Sequence, residues 1–183
     1  MSNHIAFIGV GNMGNPMAQQ LVKAGKQVKV FDVSEYAIKT AKKTGLNVVN
    51  SLDDLLSNVS TVISMLPEGK HVYELYLGEN GILKKISKDC LIIECSTIDI
   101  ETSLKVGDEA KSLGIKMIDA PVTGGVMGAR VGKLNFLVGG SNDAVKLASP
   151  LLEIMGQKNL YGGFRPRRVR ISYLEVTILN LNL

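Results

Sequence analysis

The sequence predicts an α/β fold: a doubly wound, mainly parallel sheet with helices on both faces. Two observations carry this. Strand and helix signals alternate from residue 4 to residue 161 of 183. The first strand-to-helix junction also holds three glycines, Gly9, Gly11 and Gly14, and Asp32 closes the second strand. The elements follow in order. Residues 4–9 form a short apolar strand, and residues 12–24 a helix ending at Gly25. Residues 27–32 alternate polar and apolar side chains, as a strand does. Ser34 is placed to cap a helix over 35–43, which Gly45 closes; a short strand lies near 47–49. Ser51 caps a brief helix whose first turn holds Asp53 and Asp54. Neighbouring residues on a helix point about 100° apart, so this acidic pair reads as a cap and dipole partner rather than a catalytic pair. Val59–Met65 is the fourth strand, ended by Leu66-Pro67. Residues 69–76 are helical, and Glu79-Asn80-Gly81 is a turn. Cys90–Glu94 is nearly continuous in apolar character, as a strand covered on both faces should be. A helix over 99–112 ends at Gly114, and strands cover 115–118 and 134–138. Ser141 precedes a helix over 142–155, and residues 158–161 add an edge strand.

The glycine junction is a physical device for holding a dinucleotide. Gly9 allows the tight turn, Gly11 lets the backbone approach a pyrophosphate, and Gly14 lets the helix pack on the strand. The helix then points its N-terminal amides and dipole at the phosphates. Asp32, 18 residues after Gly14, can accept hydrogen bonds from an adenosine ribose. It would also repel a 2′-phosphate, and Val33-Ser34 supply no cation, so NAD is favoured over NADP. The plainer reading makes the glycines a turn and Asp32 a helix cap; the complete β-α-β setting argues against it.

Ligands of open α/β sheets sit beyond the carboxyl ends of the strands. Gly9–Gly14, Asp32, Met65-Leu66-Pro67 and Cys95-Ser96-Thr97 all fall there and are expected to line one cleft. Asp119-Ala120-Pro121-Val122-Thr123-Gly124-Gly125 follows a further strand. Its hydroxyl and open glycine amides suit a carboxylate. On spacing alone it reads equally as a Pro/Gly-rich connection.

Composition excludes several classes. The chain is 45% hydrophobic and 21% charged, as ordinary globular proteins are. No apolar run approaches the ~18 residues of a membrane span, and no targeting leader precedes the first strand, so a cytoplasmic location is expected. Cys90 and Cys95, five apart, should face opposite sides of the sheet and suit neither a redox pair nor a metal site. The net charge of +4 belongs mostly to the last 20 residues: residues 1–163 carry 17 Lys+Arg against 16 Asp+Glu. A basic face for nucleic acid is therefore not expected.

Five motifs in order resemble the 3-hydroxyisobutyrate dehydrogenase family of β-hydroxyacid dehydrogenases: Phe7–Ala18, Met65-Leu66-Pro67, Ser96-Thr97-Ile98-Asp99, Asp119–Gly125 and Leu134–Gly140. The resemblance covers about residues 4–163 and implies a Rossmann-type NAD-binding domain. It implies that Gly9, Gly11, Asn12, Met13 and Gly14 bind the pyrophosphate and Asp32 the ribose. Leu66, Pro67 and Thr97 would lie along the nicotinamide, with His71 near the cofactor in place of the usual Asn. Thr123, where the family commonly has Ser, would hold the substrate carboxylate with Gly124 and Gly125. The implied reaction is reversible, NAD-dependent oxidation of a 3-hydroxy acid to its semialdehyde, of the valine-degradation type. Tartronate semialdehyde and glyoxylate-type reductases share much of the pattern. A non-catalytic dinucleotide-binding module or relic is the alternative from another class.

The resemblance stops after Gly162-Gly163, where the family begins a helix that carries its acid/base lysine. Residues 164–183 hold four Arg, Glu175 and no Lys, whereas residues 1–163 use 16 Lys and one Arg. This break marks 164–183 as a divergent Arg-rich tail, expected to be frameshifted or disordered. The family's all-α domain, through which it oligomerises, is then missing. No catalytic residue is assigned within the 183.

Overall fold

The computed structural model describes residues 4–161. Among them, strands and helices alternate as the sequence predicts, apart from a short unpredicted strand at 122–123 that directly follows the strand at 116–119. The order is β1 His4–Ile8, α1 Gly14–Lys23, β2 Val28–Phe31, α2 Glu35–Lys43, β3 Asn47–Val48, α3 Leu52–Leu56, β4 Val59–Ser64 and α4 Gly69–Leu77. β5 Leu91–Glu94, α5 Ile100–Ser112, β6 Lys116–Asp119, β7 Val122–Thr123, α6 Gly125–Arg130, β8 Leu134–Gly140, α7 Asn142–Met155 and β9 Gly156–Tyr161 complete it. The divergent tail lies outside the described residues.

The sheet runs β3-β2-β1-β4-β5-β6-β8-β7, with β9 beside β8. The strands from β3 to β6 are parallel. β8 runs antiparallel to β6 and to β7, and parallel to β9. Strand order reverses direction at β1, between β2 and β4, which opens a crevice at their carboxyl ends.

Alternating side chains divide the central parallel strands β1, β4 and β5 between two cores. Phe7, Val30, Ile93 and Phe136 pack on one face under Met17 and Leu21 of α1 and Leu152 and Met155 of α7. Ala6, Ile8, Val62 and Ile92 pack on the other under Val72 and Tyr76 of α4 and Val106 and Ala110 of α5. Cys90 joins the second core and Cys95 the first, so the two free thiols do face opposite sides. They flank β5 instead of lying within it. Burial pushes the Cys90 thiol up to about 11 and raises Cys95 further from reactivity.

Local caps set the helix starts. Ser34 Oγ accepts from the Ala37 amide at 3.4 Å, Ser51 Oγ from Asp54 at 3.1 Å and Ser141 Oγ from Ala144 at 3.3 Å. Asp53 also pairs with Lys85 at 3.2 Å on the surface, in keeping with a structural rather than catalytic acid.

The junction of β1 and α1 is tighter than any of these. Gly9 sits at φ +86°, and a Cβ there would collide with the Met65 carbonyl oxygen. A Cβ on Gly14 would collide with the Gly9 carbonyl oxygen. The start of α1 therefore rests directly on the turn. Gly14→Ala should destabilise the fold by roughly 1–3 kcal/mol, the usual cost of overpacking, read as a lower urea midpoint.

Candidate functional site

A cleft of about 1170 Å³ opens at the carboxyl ends of β1, β2 and β4. Nine of the sequence-predicted site residues line it: Gly9, Gly11, Asn12, Met13, Gly14, Asp32, Leu66, Pro67 and His71. The glycine turn lies centrally because β1 is the central strand of the three. Asp32 follows β2 on one side, and Leu66-Pro67 follows β4 on the other. His71 is on α4 and exposed. Thr97, Thr123, Gly124 and Gly125 are not part of this wall. Thr97 is exposed beyond β5, and Thr123 is half-buried on β7. The wall resumes on α6 with Val126 and Arg130.

Asp32 is fixed by the backbone. Its Oδ2 accepts from the Val10 amide at 2.7 Å and its Oδ1 from the Ser34 amide at 2.8 Å. Each oxygen keeps a further lone pair for a donor in the cleft. The carboxylate thus ties the glycine turn to the end of β2 before any ligand arrives.

The turn itself has the shape of an anion cradle. A Cβ on Gly11 would meet no heavy atom within 4 Å, so packing gives no reason for a glycine there. A group approaching the backbone from the cleft does. α1 begins without a side-chain cap and without an acid in its first turn, so its positive end faces the cleft uncompensated. Asn15, also in the wall, is 5% exposed, and its Nδ2 has no hydrogen-bond partner among the described residues. These features fit a pyrophosphate-bearing group. No cluster of three His, Cys, Asp or Glu side chains among the described residues could hold a metal ion.

Sequence reasoning missed what stands behind Leu66. Glu94, 1% exposed, ends β5. Its Oε1 accepts from the Ser96 amide at 2.6 Å, and its Oε2 accepts from the Ser64 hydroxyl. Ser64 Oγ also bonds Tyr76 Oη, and Ser96 Oγ accepts from the Leu66 amide at 2.7 Å. Cys95-Ser96 is accordingly buried behind the wall. Burial raises the Glu94 pKa against the opposing pull of Ser64 and Ser96, and burial likewise raises Tyr76. The one sequence signal was an acid ending an apolar strand.

The family model described as the NAD binding domain of 6-phosphogluconate dehydrogenase matches residues 4–163. The chain is 45% identical over 159 residues to a 3-hydroxyisobutyrate dehydrogenase of Pseudomonas aeruginosa, covering 87% of this chain and 53% of the relative. It is 43% identical over 159 residues to an NAD-dependent L-serine dehydrogenase of the same organism, with the same coverage of 87% and 53%. Among solved structures it resembles the Mycobacterium tuberculosis 3-hydroxyisobutyrate dehydrogenase with L-serine. That match has a TM-score of 0.89 and 35% identity, over 98% of this chain and 60% of that one. The chain thus spans about half the length of the curated relatives it matches. Among the described residues, no helix is long and apolar enough to cross a membrane.

Two measurements test this site. Gly11→Ala should leave the urea midpoint unchanged and weaken NADH binding by about tenfold or more, about 1.4 kcal/mol, by calorimetry. The second concerns Glu94, whose folded pKa is raised above the usual 4.5. Its contribution to stability is complete below 4.5 and is lost as pH rises through the raised value. Urea midpoints of wild type should therefore fall relative to Glu94→Gln across that window.

Proposed function

Because the chain belongs to the family of the NAD binding domain of 6-phosphogluconate dehydrogenase, we propose that it holds NAD for a 3-hydroxyisobutyrate dehydrogenase-type oxidoreductase. The reaction is reversible oxidation of a small 3-hydroxy acid to its semialdehyde, placed in valine breakdown and in the cytosol. The observation that carries the reading is Asp32, fixed by the Val10 and Ser34 amides beside the open face of Gly11.

Each part of the wall has a task. Gly11, Asn12, Met13 and Gly14 receive the pyrophosphate through backbone amides at the head of α1. Asp32 accepts the ribose hydroxyls and repels a 2′-phosphate, which sets NAD above NADP. Leu66, Pro67 and His71 face the nicotinamide half, on the β4 side of the switch point; Thr97, beyond β5 and outside the wall, is given to the same half by the resemblance alone. When bound, the nicotinamide supplies hydride transfer at the carbon bearing the hydroxyl.

Thr123, Gly124 and Gly125 take the substrate carboxylate. Gly124, at φ +113°, begins α6 without a side-chain cap, and Thr123 Oγ1 accepts from Asn135 Nδ2 at 3.4 Å. Both L-serine and 3-hydroxyisobutyrate combine a carboxylate with a 3-hydroxyl, so the names of the two Pseudomonas relatives agree on one substrate class.

Proton transfer needs an acid/base group that the resemblance places on a lysine beyond this domain, and residues 164–183 contain none. That favours a second reading of the 183-residue chain, as a dinucleotide-binding module without turnover. One sample separates the readings: NADH should bind in calorimetry while 3-hydroxyisobutyrate and L-serine give no NADH above background. Turnover of either would restore the enzyme reading, and failure to bind NADH would remove both. Asp32→Ala should cost NADH about tenfold in affinity, the size of a charged hydrogen bond, and narrow its advantage over NADPH.

A further inference from the structure

Leu66-Pro67 follows β4 with no regular structure of its own, yet it forms one wall of the cleft. Its position has to be fixed by something else. Four of the bonds described above form one network around Glu94, two of them directly to its carboxylate. Ser64, the residue that ends β4 just before Met65-Leu66-Pro67, donates to Oε2. Tyr76, on the helix that follows the same segment, bonds that serine. Ser96, whose amide donates to Oε1, receives the Leu66 amide on its hydroxyl. Glu94 thus reaches this stretch at Ser64 directly, at Leu66 through Ser96, and at Tyr76 through Ser64.

We propose that Glu94 is the positioning residue of the nicotinamide-side wall, holding Leu66-Pro67 in place through Ser64 and Ser96. This rests on the dinucleotide reading above. The chemistry suits the task. A buried carboxyl offers two acceptor oxygens in one rigid plane, so it fixes two backbone segments relative to each other. All four groups are buried, and breaking one bond leaves its partners unsatisfied in the core. Asp32, by contrast, anchors the opposite side of the cleft by bonds that do not involve this network.

The test compares Glu94→Ala, Glu94→Gln and Ser96→Ala in the 183-residue chain. Two quantities are read: amide hydrogen exchange, and calorimetric affinity for NADH and for ADP, which lacks the nicotinamide half. Glu94→Ala should speed exchange in residues 65–76 while β1 and β2 stay protected. It should weaken NADH about tenfold and ADP less than about twofold. Glu94→Gln keeps an acceptor for Ser96 and should restore both. Ser96→Ala, which removes the Leu66 partner and the hydroxyl beside Glu94 while keeping the Ser96 amide, should reproduce the local exchange and stands in if Glu94→Ala does not fold. Unchanged exchange at 65–76, equal weakening of NADH and ADP, or no rescue by Gln would overturn the proposal. If wild type binds neither nucleotide, the dinucleotide reading falls, and the exchange data alone decide the role of Glu94.

Discussion

The close seat of Gly14 on the Gly9 carbonyl governs the rest of the molecule. It brings the head of α1 down onto the turn after β1, with Phe7 beneath. Any side chain at Gly14 would lift the helix and move its amides away from the cleft. Met17 and Leu21 would then leave the first core, where they meet Phe7 and Val30. One backbone contact therefore links the packing of the sheet to the aim of the helix dipole.

Much of this was legible in the sequence because it is local. Ser34, Ser51 and Ser141 each cap the helix predicted after them, whereas Asp99, read as the first residue of its helix, is the cap before it. The helices over 35–43 and 142–155 match their predicted bounds for that reason. The glycine turn and Asp32 were legible because their spacing is set by the short path from β1 through α1 to β2. What escaped notice depends on residues far apart in the chain. β7 is two residues long, too short to show a period, and exists only because Val122 and Thr123 meet Phe136 and Asn135. The 3₁₀ turn at Ile82–Lys84 is fixed by burial of Ile82 and Leu83 instead of a local signal.

Site residues divide along the same line. Those on the turn after β1 and at the ends of β2 and β4 line the cleft, because parallel neighbours end at one edge. Thr97 and Thr123–Gly125 belong to strands further along the sheet and lie outside that wall. Glu94 was hidden for a different reason. Its partners Ser64 and Tyr76 lie 30 and 18 residues earlier, and a carboxyl at the end of an apolar strand looks like a solvent-facing terminus until the chain closes over it.

The two cores have a consequence for how such a molecule can vary. Met13 and Met65 pack against the first core, and Leu66 and Leu75 against the second. The cleft therefore runs along a seam, with the wall at the head of α1 resting on one packing unit and much of its opposite wall on the other. A substitution deep in one core is transmitted to one wall and damped by the sheet before it reaches the other. Substitutions can reshape one wall of the cleft while the other stays fixed. That is a modularity written into the alternation of side chains along the central strands.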